Sequence, residues 1–129
     1  MSVELKKENK SIIADKAYAF AVQIISVYKE LKKDNEFVLP KQILRSGTSI
    51  GANVNEAISA VSKKDFVFKL GISLKEARET KYWLNLLKDS DFISQETFIK
   101  SNKDCEELIK ILSSIILTTK QRYLNNSYL

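Results

Sequence analysis

Between Leu39 and Leu84 the sequence sets polar residues at helical steps beside an apolar stripe. The first set is Gln42, Arg45, Ser46, Ser49, Asn53 and Glu56; the second is Lys69, Ser73, Glu76, Glu79 and Thr80. Steps of three and four place each set on one face of a helix. A solvated helix face is usually rich in Lys and Glu without fixed order, so this ordered mixture marks a face in contact with something. The chemistry open to it is narrow. Arg45 with the carboxylates of Glu76 and Glu79 has the parts for acid–base work or for an ion pair. No phosphate loop, metal motif or activated nucleophile accompanies them.

The rest of the composition narrows the field further. The chain has no histidine and one cysteine, Cys105. Ser-His-Asp and Cys-His catalysis and the usual zinc and haem ligands are therefore absent. An intrachain disulfide and a Cys-cluster metal site are excluded as well. The expectation is a protein that is no enzyme, with no cofactor and no metal. Cys105 is expected as a core residue of the last helix. Hydrophobic residues make up 44% and charged residues 29% of the 129 residues, the balance of a folded chain of one domain. Gly is 3 and Pro is 1, too few for a fold with many tight β-turns. No apolar run approaches the length of about 20 residues that spans a bilayer. Met1 to Lys10 is charged and lacks the apolar stretch of a signal peptide. No membrane partner and a cytoplasmic location are the expectations.

These residues need elements to position them, and the periodicity supplies four helices. The first is expected over 11–33, with Ile13, Ala17, Phe20, Ile24, Val27 and Leu31 as its buried stripe and Ala14, Ala21, Ile25 and Tyr28 widening it. The second is expected over 40–61, with Pro40 in the first turn and Ile43, Gly47, Ile50, Val54, Ala57 and Val61 facing inward. Gly47 and Gly51, four apart inside a helix, point to close approach of a neighbour, since each costs ~1 kcal/mol against Ala. The third is expected over 63–88, opened by Ser62 and Asp65 as a capping box and buried along Phe66, Leu70, Leu74, Ala77, Leu84 and Leu87. Tyr82 and Trp83 are read there as packing residues. The fourth is expected over 94–125 from Ser94 as N-cap, apolar enough around its girth to want several neighbours. Short connections between long helices make sequential neighbours antiparallel. The fold expected is an all-α, antiparallel up-down-up-down four-helix bundle in a single domain over 1–129.

A hairpin of the second and third helices turning near Ser62 pairs residues whose numbers sum to roughly 125. Glu56 then meets Lys69, Asn53 meets Ser73, Ser49 meets Glu76, and Arg45 meets Glu79 and Thr80. Three readings of this seam stay open: a polar seam that fixes helix register, an interface between subunits, and a catalytic site. The lysines form a second candidate. The net charge is +5, compatible with nucleic acid without being diagnostic of it. Lys6, Lys7, Lys10, Lys63 and Lys64 are expected at one end of the bundle, with Lys120 and Arg122 at the other, and Lys7, Lys10, Lys63 and Lys64 are the candidate nucleic-acid contacts. A merely solvated surface is the alternative for them.

The run Leu39-Pro40-Lys41-Gln42-Ile43-Leu44-Arg45-Ser46-Gly47-Thr48-Ser49-Ile50-Gly51-Ala52-Asn53-Val54-Asn55-Glu56-Ala57 resembles the four-helix bundle proteins of 23S rRNA intervening sequences, also labelled S23 ribosomal proteins. Lys64-Asp65-Phe66, Leu70, Ser73, Glu76 and Trp83-Leu84 continue the resemblance. It implies a bundle that assembles as a homo-oligomer, a ring-shaped homopentamer, and no enzymatic activity. A fold relative, the accessory variability determinant of diversity-generating retroelements, is a basic pentamer that binds nucleic acid and a reverse transcriptase. The chain departs from the family pattern at Ala57, where a glycine is usual. The partners expected are therefore other copies of the chain and structured RNA or DNA, with a protein partner in place of nucleic acid as the alternative.

Overall fold

The computed structural model describes residues 3–33 and 38–124; the side chains of residues 3–11 and of Lys33 lie outside that description. Four helices account for almost all of it: α1 Val3–Lys33, α2 Val38–Ile58, α3 Lys63–Asp89 and α4 Gln95–Tyr123. No strand occurs among the described residues. α2 packs on α1 and on α3, and α4 packs on α3 and on α1, so the helices close into a bundle.

One core draws on all four helices. It contains Ile13, Ala17, Phe20, Ile24, Val27 and Leu31 of α1, then Ile43, Ile50, Val54 and Ala57 of α2. Phe66, Leu70, Ala77, Leu84 and Leu87 enter from α3, and Phe98, Cys105, Leu108 and Leu112 from α4. The apolar stripes are thus the buried faces. The two α2 glycines lie under α1, as their spacing suggested. A Cβ on Gly47 would stand 2.8 Å from Cγ2 of Ile24, and one on Gly51 would stand 3.4 Å from the carbonyl oxygen of Ala17.

The boundaries differ from the periodicity in instructive ways. α1 begins at Val3, well before the expected Ser11. The stretch from Val3 to Lys10 holds Leu, Lys and Glu, good helix formers that carry little apolar periodicity to reveal them. α2 starts at Val38 and ends at Ile58, short of Val61. Its last turn tightens as Ser59 N–H donates to Glu56 O at 3.1 Å and Ala60 N–H to Ala57 O at 3.0 Å. Val61, expected to face inward, is 93% exposed. The capping box is rearranged too. Ser62 Oγ accepts from Asp65 N–H at 3.0 Å, but the Asp65 carboxylate accepts from Val61 N–H at 3.4 Å, one residue further back than the motif requires. Ile25, expected to widen the α1 stripe, faces outward instead. The expected end of the fourth helix, at residue 125, lies outside the described residues.

The α3–α4 connection closes as a Schellman motif. Phe92 N–H donates to Leu87 O at 2.9 Å and Asp91 N–H to Lys88 O at 3.1 Å. Asp91 adopts φ 62°, the left-handed conformation usually given to Gly. Ser94 then caps α4, its Oγ accepting from Thr97 N–H at 3.0 Å.

Candidate functional site

The polar stripes of α2 and α3 meet along the line where those helices pack. Each stripe flanks a buried apolar face, so its side chains leave the core and are drawn together at the rim. At one end of the seam Lys69 Nζ donates to Glu56 Oε1 at 3.1 Å. Further along, Ser73 Oγ donates to Ile50 O at 2.8 Å, fully buried. Deeper still, Thr80 Oγ1 donates to Ser46 Oγ at 2.8 Å and to Glu76 O at 2.8 Å. Ser46, Ser73 and Thr80 are as buried as the core, and each has a partner, as burial demands.

Arg45 closes the other end. Its Nη1 donates to Glu76 Oε2 at 2.8 Å, and its Nη2 reaches Glu79 Oε2. One guanidinium thus spans two carboxylates a helical step apart, a use of its forked geometry that Lys cannot copy. Burial works against the charged guanidinium, yet the hydrogen bonds and negative charges of Glu76 and Glu79 outweigh it and hold Arg45 above its ordinary value. Glu79 also accepts from Trp83 Nε1 at 3.0 Å. That bond, with the Arg45 pair opposing the effect of burial, holds the Glu79 carboxyl below its usual value. A carboxylate held ionised by two donors is a poor proton acceptor, so the arrangement suits structure better than acid–base chemistry.

The pairing departs from the sequence expectation at two levels. Asn53 does not meet Ser73; its Nδ2 turns back to Ser49 O at 2.9 Å. Glu76 does not meet Ser49 but takes Arg45. Gln42 and Ser49 are half-buried on the seam, and no side-chain bond joins either to α3. The Trp83 bond was missed in the sequence, although the i, i+4 spacing of Glu79 and Trp83 carried the signal. Cys105 is buried in α4, its Sγ–H donating to Ala77 O at 3.2 Å, and burial pushes its thiol up to about 12. A thiol so held does not act as a nucleophile.

The lysines gather differently from the expectation. Lys63 Nζ sits 4.6 Å from the ring centroid of Tyr123 at the end of α4. Lys64 and Lys120 line one shallow hollow together with Val67, Phe68 and Gly71. Lys120 was expected at the far end of the bundle and belongs beside Lys63 and Lys64, because α4 ends where α3 begins. The backbones of Lys7 and Lys10 lie in α1, but their side chains lie outside the described residues. Tyr82, expected as a packing residue, packs edge-on against Trp83 with ring centroids 5.1 Å apart and is otherwise 61% exposed. Among the described residues no group of His, Cys, Asp or Glu is placed to hold a metal ion. No described helix is long and apolar enough to cross a membrane.

Four helices around a shared core, with an internally paired polar seam and a cluster of lysines at one end, define a small all-α bundle protein. The chain belongs to the 23S rRNA-intervening sequence protein family, whose profile matches residues 9–114. A crystal structure of a protein of unknown function from the S23 ribosomal protein family, from Bacteroides thetaiotaomicron VPI-5482, superposes with a TM-score of 0.82. It shares 50% sequence identity over 84% of this chain and 98% of that one. No protein of curated function matches the chain.

Proposed function

We propose that this protein is a non-enzymatic, cytoplasmic, homo-oligomeric bundle that contacts structured RNA or DNA through its basic end. The helices run up-down-up-down and antiparallel in this reading. The pairs Glu56–Lys69, Ile50–Ser73 and Ser46–Thr80 support it, since residue numbers fall along α2 as they rise along α3. Assembly is supported by apolar residues turned outward on α1, Tyr18, Val22 and Ile25, at a helical spacing that makes one strip. The subunit number of five is the one implied by the family resemblance.

The observation that carries nucleic-acid contact is the meeting of Lys63, Lys64 and Lys120 at one end of the bundle. Phosphate neutralisation by such groups releases counterions, so the affinity falls steeply as salt rises. The test is a titration of labelled structured RNA and duplex DNA across a salt series, with the wild type and with Lys63→Glu and Lys64→Glu combined. Binding at low salt that weakens with salt and drops further in the double variant is the expected result. Absence of binding at low salt, or binding that the double variant leaves untouched, overturns the reading. In that case a protein partner becomes the better account, and a complex that survives nuclease treatment would identify it.

A further inference from the structure

The outward face of α3 has a composition unlike any other in the molecule. Its exposed positions between Lys63 and Lys88 are Lys64, Phe68, Gly71, Lys75, Arg78 and Tyr82. Steps of four and three put them on one line along the helix. None is acidic. The other helices all expose acid among their cations: Asp15 and Glu30 on α1, Glu56 on α2, Glu96 and Glu107 on α4. The other acids of α3, those between Lys63 and Lys88, are turned aside. Glu76 and Glu79 belong to Arg45, and Asp65 caps its own helix. Lys75 and Arg78 enter no ion pair within 4 Å among the described residues, although the charge of Lys75 contributes to holding the Glu79 carboxyl low.

Two aromatic rings interrupt the cations. Phe68 is 63% exposed and Tyr82 is 61% exposed. Fourteen positions apart, they are about 21 Å from each other along the helix at 1.5 Å per residue. Between them Gly71 leaves the helix surface bare, since a Cβ there would meet nothing within 4 Å. Burial explains neither ring, and the core is complete without them; Tyr82 meets the Trp83 ring edge-on, with centroids 5.1 Å apart, and is still mostly exposed.

We propose that this stripe of α3 is a binding surface for single-stranded nucleic acid, the unpaired stretches of the structured RNA or DNA named above. The inference rests on that reading and narrows it to one face and one kind of strand. Lys64, Lys75 and Arg78 neutralise phosphates, and the absence of acid on the line from Lys64 to Tyr82 keeps the potential positive over that stretch. Phe68 and Tyr82 stack on bases, which only an unpaired strand offers face-on; in a duplex those faces are covered. The bare backbone at Gly71 lets the strand lie close to the helix between the two rings. An acidic protein would satisfy the cations but gives exposed aromatic rings no flat partner in register.

The test is fluorescence anisotropy with labelled oligonucleotides of mixed sequence: single-stranded DNA, single-stranded RNA and the corresponding DNA duplex. Wild-type protein binds either single strand at least ten-fold more tightly than the duplex at equal salt. Tyr82→Leu, which keeps the apolar bulk but loses the flat ring, weakens single-strand binding roughly ten-fold, and Tyr82→Phe leaves it within about two-fold. Lys75→Gln combined with Arg78→Gln lowers the slope of log affinity against log salt by about 1.4, the share of two phosphates on a single strand. All these side chains are exposed, so circular dichroism should report unchanged helicity. The outcomes separate the two proposals. Binding that responds to the Lys63 and Lys64 changes but ignores Tyr82, Lys75 and Arg78 overturns the α3 surface and leaves the basic end standing. Binding to none of the three probes overturns the α3 surface, and binding to none of them and to no structured RNA overturns both. A Tyr82→Leu variant that changes the solution mass while binding oligonucleotide normally makes the face a protein contact and overturns the proposal.

Discussion

Arg45 is the side chain on which the seam turns. It holds two carboxylates, one of them almost dry: the Glu76 side chain is 9% exposed, and that of Arg45 is 49% exposed. Removing one partner of a fully buried pair costs about 3–5 kcal/mol, whereas an exposed pair contributes about 0–1 kcal/mol. Arg45 lies between these limits, since water can reach the place it vacates. Arg45→Ala should therefore cost about 1–2 kcal/mol in urea unfolding. Lys69→Ala, which frees the well-exposed Glu56, should cost less than about 0.5 kcal/mol. Equal losses at the two ends would show that burial of Glu76 contributes nothing. The Arg45–Glu79 and Glu56–Lys69 meetings were legible in the sequence because long side chains tolerate an error of a residue in register. The Asn53–Ser73 meeting was not, because a short amide finds the carbonyl four residues back in its own helix before it reaches across.

At the scale of the helices, the three glycines separate packing from propensity. All lie inside helices, where each costs ~1 kcal/mol against Ala. At Gly47 the missing methyl is compensated by contact, because Ile24 occupies its place and is itself fully buried. Gly47→Ala must push Ile24 or part α1 from α2, at about 1–3 kcal/mol, so the helix gain is lost and the protein destabilised. Gly71 has no such neighbour. Gly71→Ala should raise stability by about 1 kcal/mol, a rise of a few degrees in Tm. Thermal unfolding of the two variants should move in opposite directions. A rise in both would mean that α1 and α2 are not held as close as Ile24 and Gly47 indicate. The pair Gly47 and Gly51 could be read from spacing, whereas Gly71 could not, since nothing in the sequence distinguishes a glycine under a helix from one facing out. Boundaries were legible where a cap residue marks them, as at Ser62 and Ser94. They were lost where charged helix formers carry no apolar period, as at the start of α1.

For the molecule as a whole, the proposed assembly raises the question of which face would hold copies together. The polar seam was one candidate for the interface, but its charges are paired within the chain, so Arg45 has no unmet carboxylate to seek in a neighbour. The α3 face is charged and interrupted by a bare glycine, a poor surface for close apolar packing. α1 offers the better one. Tyr18, Val22 and Ile25 form an outward apolar strip at steps of four and three. An apolar contact of this kind does not weaken with salt as an ionic one does. Light scattering should therefore give the same multi-chain mass at low and at high salt. Val22→Glu, which places a charge at the centre of the strip, should reduce that mass to a single chain while leaving helicity unchanged, and Arg45→Ala should leave the mass as it was. A wild-type mass of one chain at both salts would remove assembly from the account altogether. A mass that falls only at high salt would move the contact from α1 to the charged faces, and with it the side of the bundle left open to a nucleic acid.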